Sequence, residues 1–225
     1  MPLDTIYVVR HGFRSAWSVD HTTGAYTSTV RSPTGIPADP PLTSYGKRQA
    51  TEMAAHLATL EPAIDAVYST PAPSSHSAVP ASAVIRPEHG ISEWFGSAPF
   101  EHPRPAEGQV LKGMFPAYSL EYESARRPST KGETVAELYA RVGEVVEAVV
   151  RRSEAEGHRS IVLCTHAAVV IALGRVLTGR VPESPDVRDF QAYTCGLSTY
   201  TRKNPTTGDS EYVQPKTRVV SLFST

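Results

Sequence analysis

Two hydrophobic periods alternate along this chain, and the points where one gives way to the other mark its elements. Ile6-Tyr7-Val8-Val9 is an unbroken apolar run of strand-forming residues, the pattern of a strand covered on both faces, and it leads straight into Arg10-His11-Gly12. Ser160-Ile161-Val162-Leu163-Cys164 repeats the pattern and delivers Thr165-His166, with a helix predicted over Ala168 to Leu177. Ala66-Val67-Tyr68-Ser69 reads as a shorter strand between them. Helical spacing runs through Ala50, Met53, Leu57 and Leu60, after Thr43 as N-cap and before Pro62 as stop. It returns in Val135, Leu138, Val142, Val145 and Val149, behind a Thr134–Glu137 capping box and ahead of Gly157. Leu197 to Thr201 and Tyr212 to Leu222, split by the turn-rich Asn204 to Asp209, predict an antiparallel hairpin. Strands alternating with helices give an α/β fold: three layers, α/β/α, around a mainly parallel sheet, with the hairpin at the C-terminal end.

Three connections lack either period. Ser15 to Pro41 is an ordered surface loop that either roofs the first strand's end or is a passive insertion. Thr70 to Ala83 contains only Thr, Pro, Ala, Ser, His and Val, so a mobile loop with little to bury is expected. Ser97 to Pro128, rich in Pro, Glu and aromatics, reads as a cap-like excursion with one short helix near Ser119 to Ala125. With no repeat and no dividing linker, residues 1–225 form one expected domain, in which 15–41 is an inserted loop, 70–83 an atypical loop and 195–225 the hairpin.

Composition narrows the possible partners. Of the 225 residues, 40% are hydrophobic and 20% charged, and the net charge of −1 gives no field for direct nucleic-acid or anionic membrane binding. Any affinity for phosphate must therefore be local. The two cysteines fit a reducing compartment, with Cys164 as a small core hydrophobe, and Met1-Pro2-Leu3-Asp4 lacks the charged and apolar regions of a signal peptide. A cytoplasmic or nuclear location is expected.

The chemistry lies where two strands end in histidine. Strand ends of this kind converge at one edge of an open α/β sheet, which would set His11, His166 and Arg10 around one small anion. Arginine offers a planar fork of donors to phosphate oxygens, and a neutral imidazole nitrogen can attack phosphorus. Gly12, without a Cβ, lets the backbone approach an anion closely.

Arg10-His11-Gly12, then Pro41-Leu42-Thr43 with Gly46 and Gln49-Ala50, then Gly132-Glu133-Thr134 with Arg141, then Thr165-His166, resemble in kind and order the histidine phosphatase superfamily. That family includes the cofactor-dependent phosphoglycerate mutases, and the likeness spans Ile6 to about Leu177. Arg14 is closer to the phosphatase branches than to the mutases, so a mutase reading ranks lowest. Phe13 to Trp17, with the proline-rich loop, and Arg86 to Gly96 are similar to a fungal branch that includes the histidine phosphatase domain of a small subunit of the RNA polymerase III factor TFIIIC.

The resemblance implies His11 as the nucleophile, with Arg10, Arg14, Gly12 and His166 binding phosphate and His166 assisting catalysis. Glu93 takes the general-acid place, with Glu88 as the rival carboxyl, and no cofactor and no metal are implied. The substrate would be a small phosphomonoester or a phosphoprotein, and Trp17, Tyr26, Trp94 and Phe95 would offer a stacking surface. Glu133 and Arg141 are expected to pair and hold the long helix, while His76 and His89 are expected at the surface.

One departure stands out. The family's second strand normally leads to a further pocket arginine on a helix, whereas here Tyr68-Ser69-Thr70-Pro71 is followed by Ser74 in that place. Losing one guanidinium weakens charge-assisted binding by about 1.5–3 kcal/mol per bond. Arg14 or Arg86 would have to compensate. Two outcomes stay open: a phosphatase impaired by that loss, or a noncatalytic pseudophosphatase that serves as an interaction module of a complex such as TFIIIC, its protein partner held through the C-terminal hairpin. As a hypothesis, the abrupt composition of residues 72–83 also matches a shifted reading frame, which transcript sequencing would decide.

Overall fold

A computed structural model describes residues 1–79, 83–203 and 212–219, with 214–219 as backbone. Six strands form one sheet in the order β5-β4-β6-β1-β7-β8: β1 Thr5–Arg10, β4 Ala66–Ser69, β5 Ile85–Pro87, β6 Ser160–Thr165, β7 Gly196–Arg202 and β8 Tyr212–Val219. Strands β5, β4, β6 and β1 run parallel, while β7 pairs antiparallel with β1 and β8 with β7. The expected hairpin is present, yet its first strand lies inside the sheet rather than hanging from it. The segment expected to turn, Asn204 to Asp209, lies within residues 204–211, and these and residues 220–225, Leu222 among them, lie outside the described residues.

The period of two decides what each face buries. In β1, Ile6 and Val8 join Ile161, Leu163 and Tyr68 beneath α4 (Val135–Ala155) and α5 (Ala167–Thr178), with Leu138, Val142, Val145 and Leu173 filling that side. Tyr7 and Val9 face the other way, with Val67, Val162 and Cys164, onto Ala50, Met53 and Leu57 of α1 (Ser44–Leu57). Both predicted caps are made: Thr43 Oγ1 accepts from the Gly46 amide at 3.1 Å, and Thr134 and Glu137 form the capping box. Among the described residues, no helix is long and apolar enough to cross a membrane.

Several local expectations are overturned. The loop after β1 carries a two-stranded ribbon, β2 Trp17–Val19 and β3 Tyr26–Ser28, whose Trp17 and Tyr26 stack 5.5 Å apart and pack on Phe95. As far as it is described, the segment from Thr70 to Val79 is no solvated loop: a single turn, α2 (Pro73–His76), lies buried, because small side chains let its backbone sit close against neighbours. His76 is accordingly buried, not at the surface, its ring 4.8 Å from that of Phe115. Residues 80–82 lie outside the described residues. The helix expected near Ser119 to Ala125 is absent, and α3 forms instead at Gly108–Met114. The reason is Glu88, fully buried after β5, which draws the Ser124 hydroxyl and the Ala125 amide as donors and so removes them from any helix.

Candidate active site

Register brings the two histidines together. Arg10 stands beside Thr165 across the β1–β6 ladder, and the His11 amide donates to the Thr165 carbonyl at 3.0 Å, so His11 and His166 leave the same sheet edge side by side. Their ring centroids are 5.0 Å apart, and each residue is 2% exposed. His11 Nδ1 lies 2.7 Å from the Gly12 carbonyl, which holds the ring proton on Nδ1 and leaves the Nε2 lone pair free. Burial first, then the neighbouring His166, Arg14 and Arg10, push the His11 pKa well below the ordinary imidazole value. The ring is therefore neutral at pH 7, as a nucleophile requires.

Gly12 is where the chain must be thin. A Cβ there would meet the Gly46 carbonyl oxygen at 2.5 Å, because the start of α1 crosses directly over this turn. Beyond it, Thr43 and Pro41 clamp the backbone on either side of Arg14, through Thr43 N to Phe13 O and Ser15 N to Pro41 O, both at 3.0 Å. That clamp aims the guanidinium: Arg14 Nη2 sits 2.8 Å from Glu93 Oε2. His166 Nδ1 approaches the same oxygen to 3.1 Å. Burial raises the Glu93 pKa, but His166, Arg14 and His11 together outweigh it and hold the carboxyl ionised, well below its usual range.

Sequence-selected groups thus meet in one place, with His11, Glu93 and His166 contributing ring nitrogens and a carboxylate oxygen all within 4.8 Å of one another. That set has the donor types of a metal site, yet Arg14 already places a cation on Glu93. Arg10 lies at the same edge, where one Nη donates to the Ala192 carbonyl at 2.7 Å and burial lowers its pKa. Glu88 is not a second acid: besides Ser124 and Ala125 it accepts from the Gly90 amide and the Tyr122 hydroxyl, as a structural anchor. Arg141 pairs with Glu133 at 2.7 Å and donates to the Gly90 carbonyl, which ties the loop bearing Glu93 to α4. His89, expected at the surface, is partly buried beside Arg127.

Neither Ser74 nor Arg86 supplies the missing arginine. Ser74 is 2% exposed and its hydroxyl has no partner among the described residues. Arg86 is committed to Glu156 at 2.6 Å and to the Tyr68 hydroxyl at 3.0 Å. Sequence reading missed Asp39, which lines a pocket of about 70 Å³ together with Arg14, Glu93, Phe95, Arg104 and His166. Its only signal in the sequence was its place just before Pro40-Pro41-Leu42-Thr43. A groove of about 840 Å³, which shares Glu93, Phe95 and Arg104, continues over the cap.

Residues 6–207 match the family model for the histidine phosphatase superfamily, branch 1. The transcription factor tau 55 kDa subunit of Saccharomyces cerevisiae is 33% identical over 215 residues, 89% of this chain, and the chain spans 48% of that relative's length. Among solved structures, an ecdysone phosphate phosphatase from Bombix mori superposes with a TM-score of 0.65 at 19% identity, covering 95% of this chain and 92% of that one. A phosphoglycerate mutase from Bacillus anthracis gives 0.58 at 13% identity, covering 95% and 92%. These last two likenesses speak for the fold alone. Because the family match runs through both histidine-bearing strands and every helix between them, this chain belongs to the histidine phosphatase superfamily.

Proposed function

We propose that the protein hydrolyses phosphomonoesters through a phosphohistidine formed on His11. The observation that carries this reading is the neutral, proton-fixed imidazole of His11 beside His166 and Arg14. Nε2 of His11 attacks phosphorus, while Arg10, Arg14, His166 and the thin backbone at Gly12 surround the equatorial oxygens. Glu93, ionised in the resting site, supplies the carboxylate for proton transfer. Phe95 lines the pocket, with Trp17 and Tyr26 packed against it, and this aromatic cluster suits a phosphorylated aromatic or a phosphoprotein side chain.

A second reading has its own observation. Ser74, buried and without a partner among the described residues, stands where the superfamily resemblance calls for an arginine. With a relative named as a transcription factor subunit, this supports an interaction module of a nuclear complex, in which β8, at the sheet's outer edge, would meet the partner.

Acid-quench trapping separates the two readings. The protein, His11→Ala and Ser74→Arg are mixed with p-nitrophenyl phosphate and assayed for acid-labile phosphohistidine. Labelling of the wild type that is lost in His11→Ala is expected from an enzyme. Labelling of Ser74→Arg alone, or of nothing, would sink the phosphatase reading and leave the interaction module.

A further inference from the structure

The pocket holds two carboxyl groups, and their surroundings differ. Glu93 is engaged twice on one oxygen, by Arg14 at 2.8 Å and His166 at 3.1 Å, so a proton added there would weaken both contacts. Asp39 has nothing comparable to lose. Its Oδ1 is buried and has no hydrogen-bond partner among the described residues, and the residue lines the pocket that Arg14, Glu93 and His166 also line. The loop that carries it is firmly placed, since the Ser32 hydroxyl donates to the Asp39 carbonyl at 2.7 Å and the Asp39 amide to Ile36 O at 3.0 Å. A half-buried carboxyl with one oxygen shut away from water and from any donor, beside a pocket for a dianion, is held most readily as the neutral acid, ready to give its proton.

We propose that Asp39 is the proton donor to the leaving oxygen, and that Glu93 stays an anion for the water step. The inference deepens the phosphatase reading and rests on it. As Nε2 of His11 bonds to phosphorus, the ester P–O bond breaks and its electron pair stays on the leaving oxygen. That oxygen takes the Asp39 proton, the alcohol departs and Asp39 becomes a carboxylate. Water then attacks phosphorus and gives a proton to Glu93, while the N–P bond returns its pair to His11. Phosphate leaves, and the proton on Glu93 passes through solvent to Asp39. Two carboxyls held in opposite protonation states within one pocket divide acid from base. Burial pushes the Asp39 pKa up to about 7 against the pull of Arg14, which agrees with this division. The other charged or titratable groups that line the pocket are Glu93, His166 and the largely exposed Arg104.

The test uses two leaving groups. Propyl phosphate releases an alkoxide that needs a proton, and p-nitrophenyl phosphate releases a stable phenolate that hardly does. In Asp39→Asn, kcat/KM should fall about 100- to 1,000-fold for propyl phosphate but less than about 10-fold for p-nitrophenyl phosphate. The fall of the wild-type propyl phosphate profile above pH about 7 should disappear in that variant, whereas ionisation of the substrate itself is common to both proteins. Phosphohistidine formed by Asp39→Asn from p-nitrophenyl phosphate shows that the variant is folded. Glu93→Gln should accumulate phosphohistidine. Equal losses on both substrates in Asp39→Asn would overturn the proposal, as would a leaving-group-dependent loss in Glu93→Gln in its place. No phosphohistidine in the wild type would overturn the phosphatase reading itself, and the role of Asp39 with it.

Discussion

Arg14 and Glu93 meet at 2.8 Å through Nη2 and Oε2, although 79 positions separate them in the chain. The pair positions a cation at the mouth of the site where an entering phosphate would compete for it. Arg14→Gln keeps the side chain polar but removes the charge. One charge-assisted bond of about 1.5–3 kcal/mol corresponds to about a 10- to 150-fold loss of kcat/KM on p-nitrophenyl phosphate. Steady-state kinetics would measure it, and a value within twofold of wild type would show that Arg14 serves Glu93 without touching phosphate.

Much of this arrangement was written locally. The apolar runs before His11 and His166 announced their own burial, and Thr43 and the Thr134–Glu137 box announced their helix starts, because strand burial and capping depend on neighbours in sequence. Asp39, Glu88 and His76 were hidden for the opposite reason. Each is decided by residues far along the chain: Asp39 by the Arg14–Glu93 wall, Glu88 by Tyr122 and Ser124, His76 by Phe115. A segment of small residues looked exposed because it has little apolar surface to bury, yet that same smallness let α2 pack inside.

Buried charge gives a second prediction. Arg141 and Glu133, 2% and 8% exposed at their side chains, pair at 2.7 Å. Arg141→Met leaves a buried carboxylate alone and releases the Gly90 carbonyl, which should cost about 3–5 kcal/mol. Glu133→Gln combined with Arg141→Met should recover part of that loss. Urea denaturation of wild type, the two single variants and the double variant measures this coupling, and strictly additive losses would refute it.

Glu88 is expected to be intolerant of even its amide. Its two oxygens accept four bonds, from Gly90, Ser124, Tyr122 and Ala125. Glu88→Gln turns one acceptor into a donor that faces other donors, at a cost of about 2 kcal/mol or more. Because the same turn leads to Glu93, the variant should lose activity along with stability. A thermal melt that matches wild type would contradict the anchoring role.

Acid sensitivity should be traceable to a ring that plays no part in catalysis. His76 is 3% exposed, and burial, only partly offset by the backbone at Thr70, lowers its pKa to about 4. Below pH about 6.5 the unfolded chain takes up a proton at this residue that the folded chain refuses until about pH 4. Its contribution to stability is therefore intact above pH 6.5 and falls as the pH drops through that window, by about 3 kcal/mol at 1.36 kcal/mol per unit. His11, whose pKa is also depressed, tilts the curve the same way, so the informative quantity is a difference between two proteins. His76→Phe keeps a flat ring against Phe115 and Tyr118 and cannot be protonated. Stability measured by urea denaturation from pH 7.5 to 4.5 should fall less steeply in His76→Phe than in wild type, with the two curves diverging below pH 6.5. Parallel curves would mean that His76 is protonated within the fold, and that α2 opens to water before the rest of the protein does.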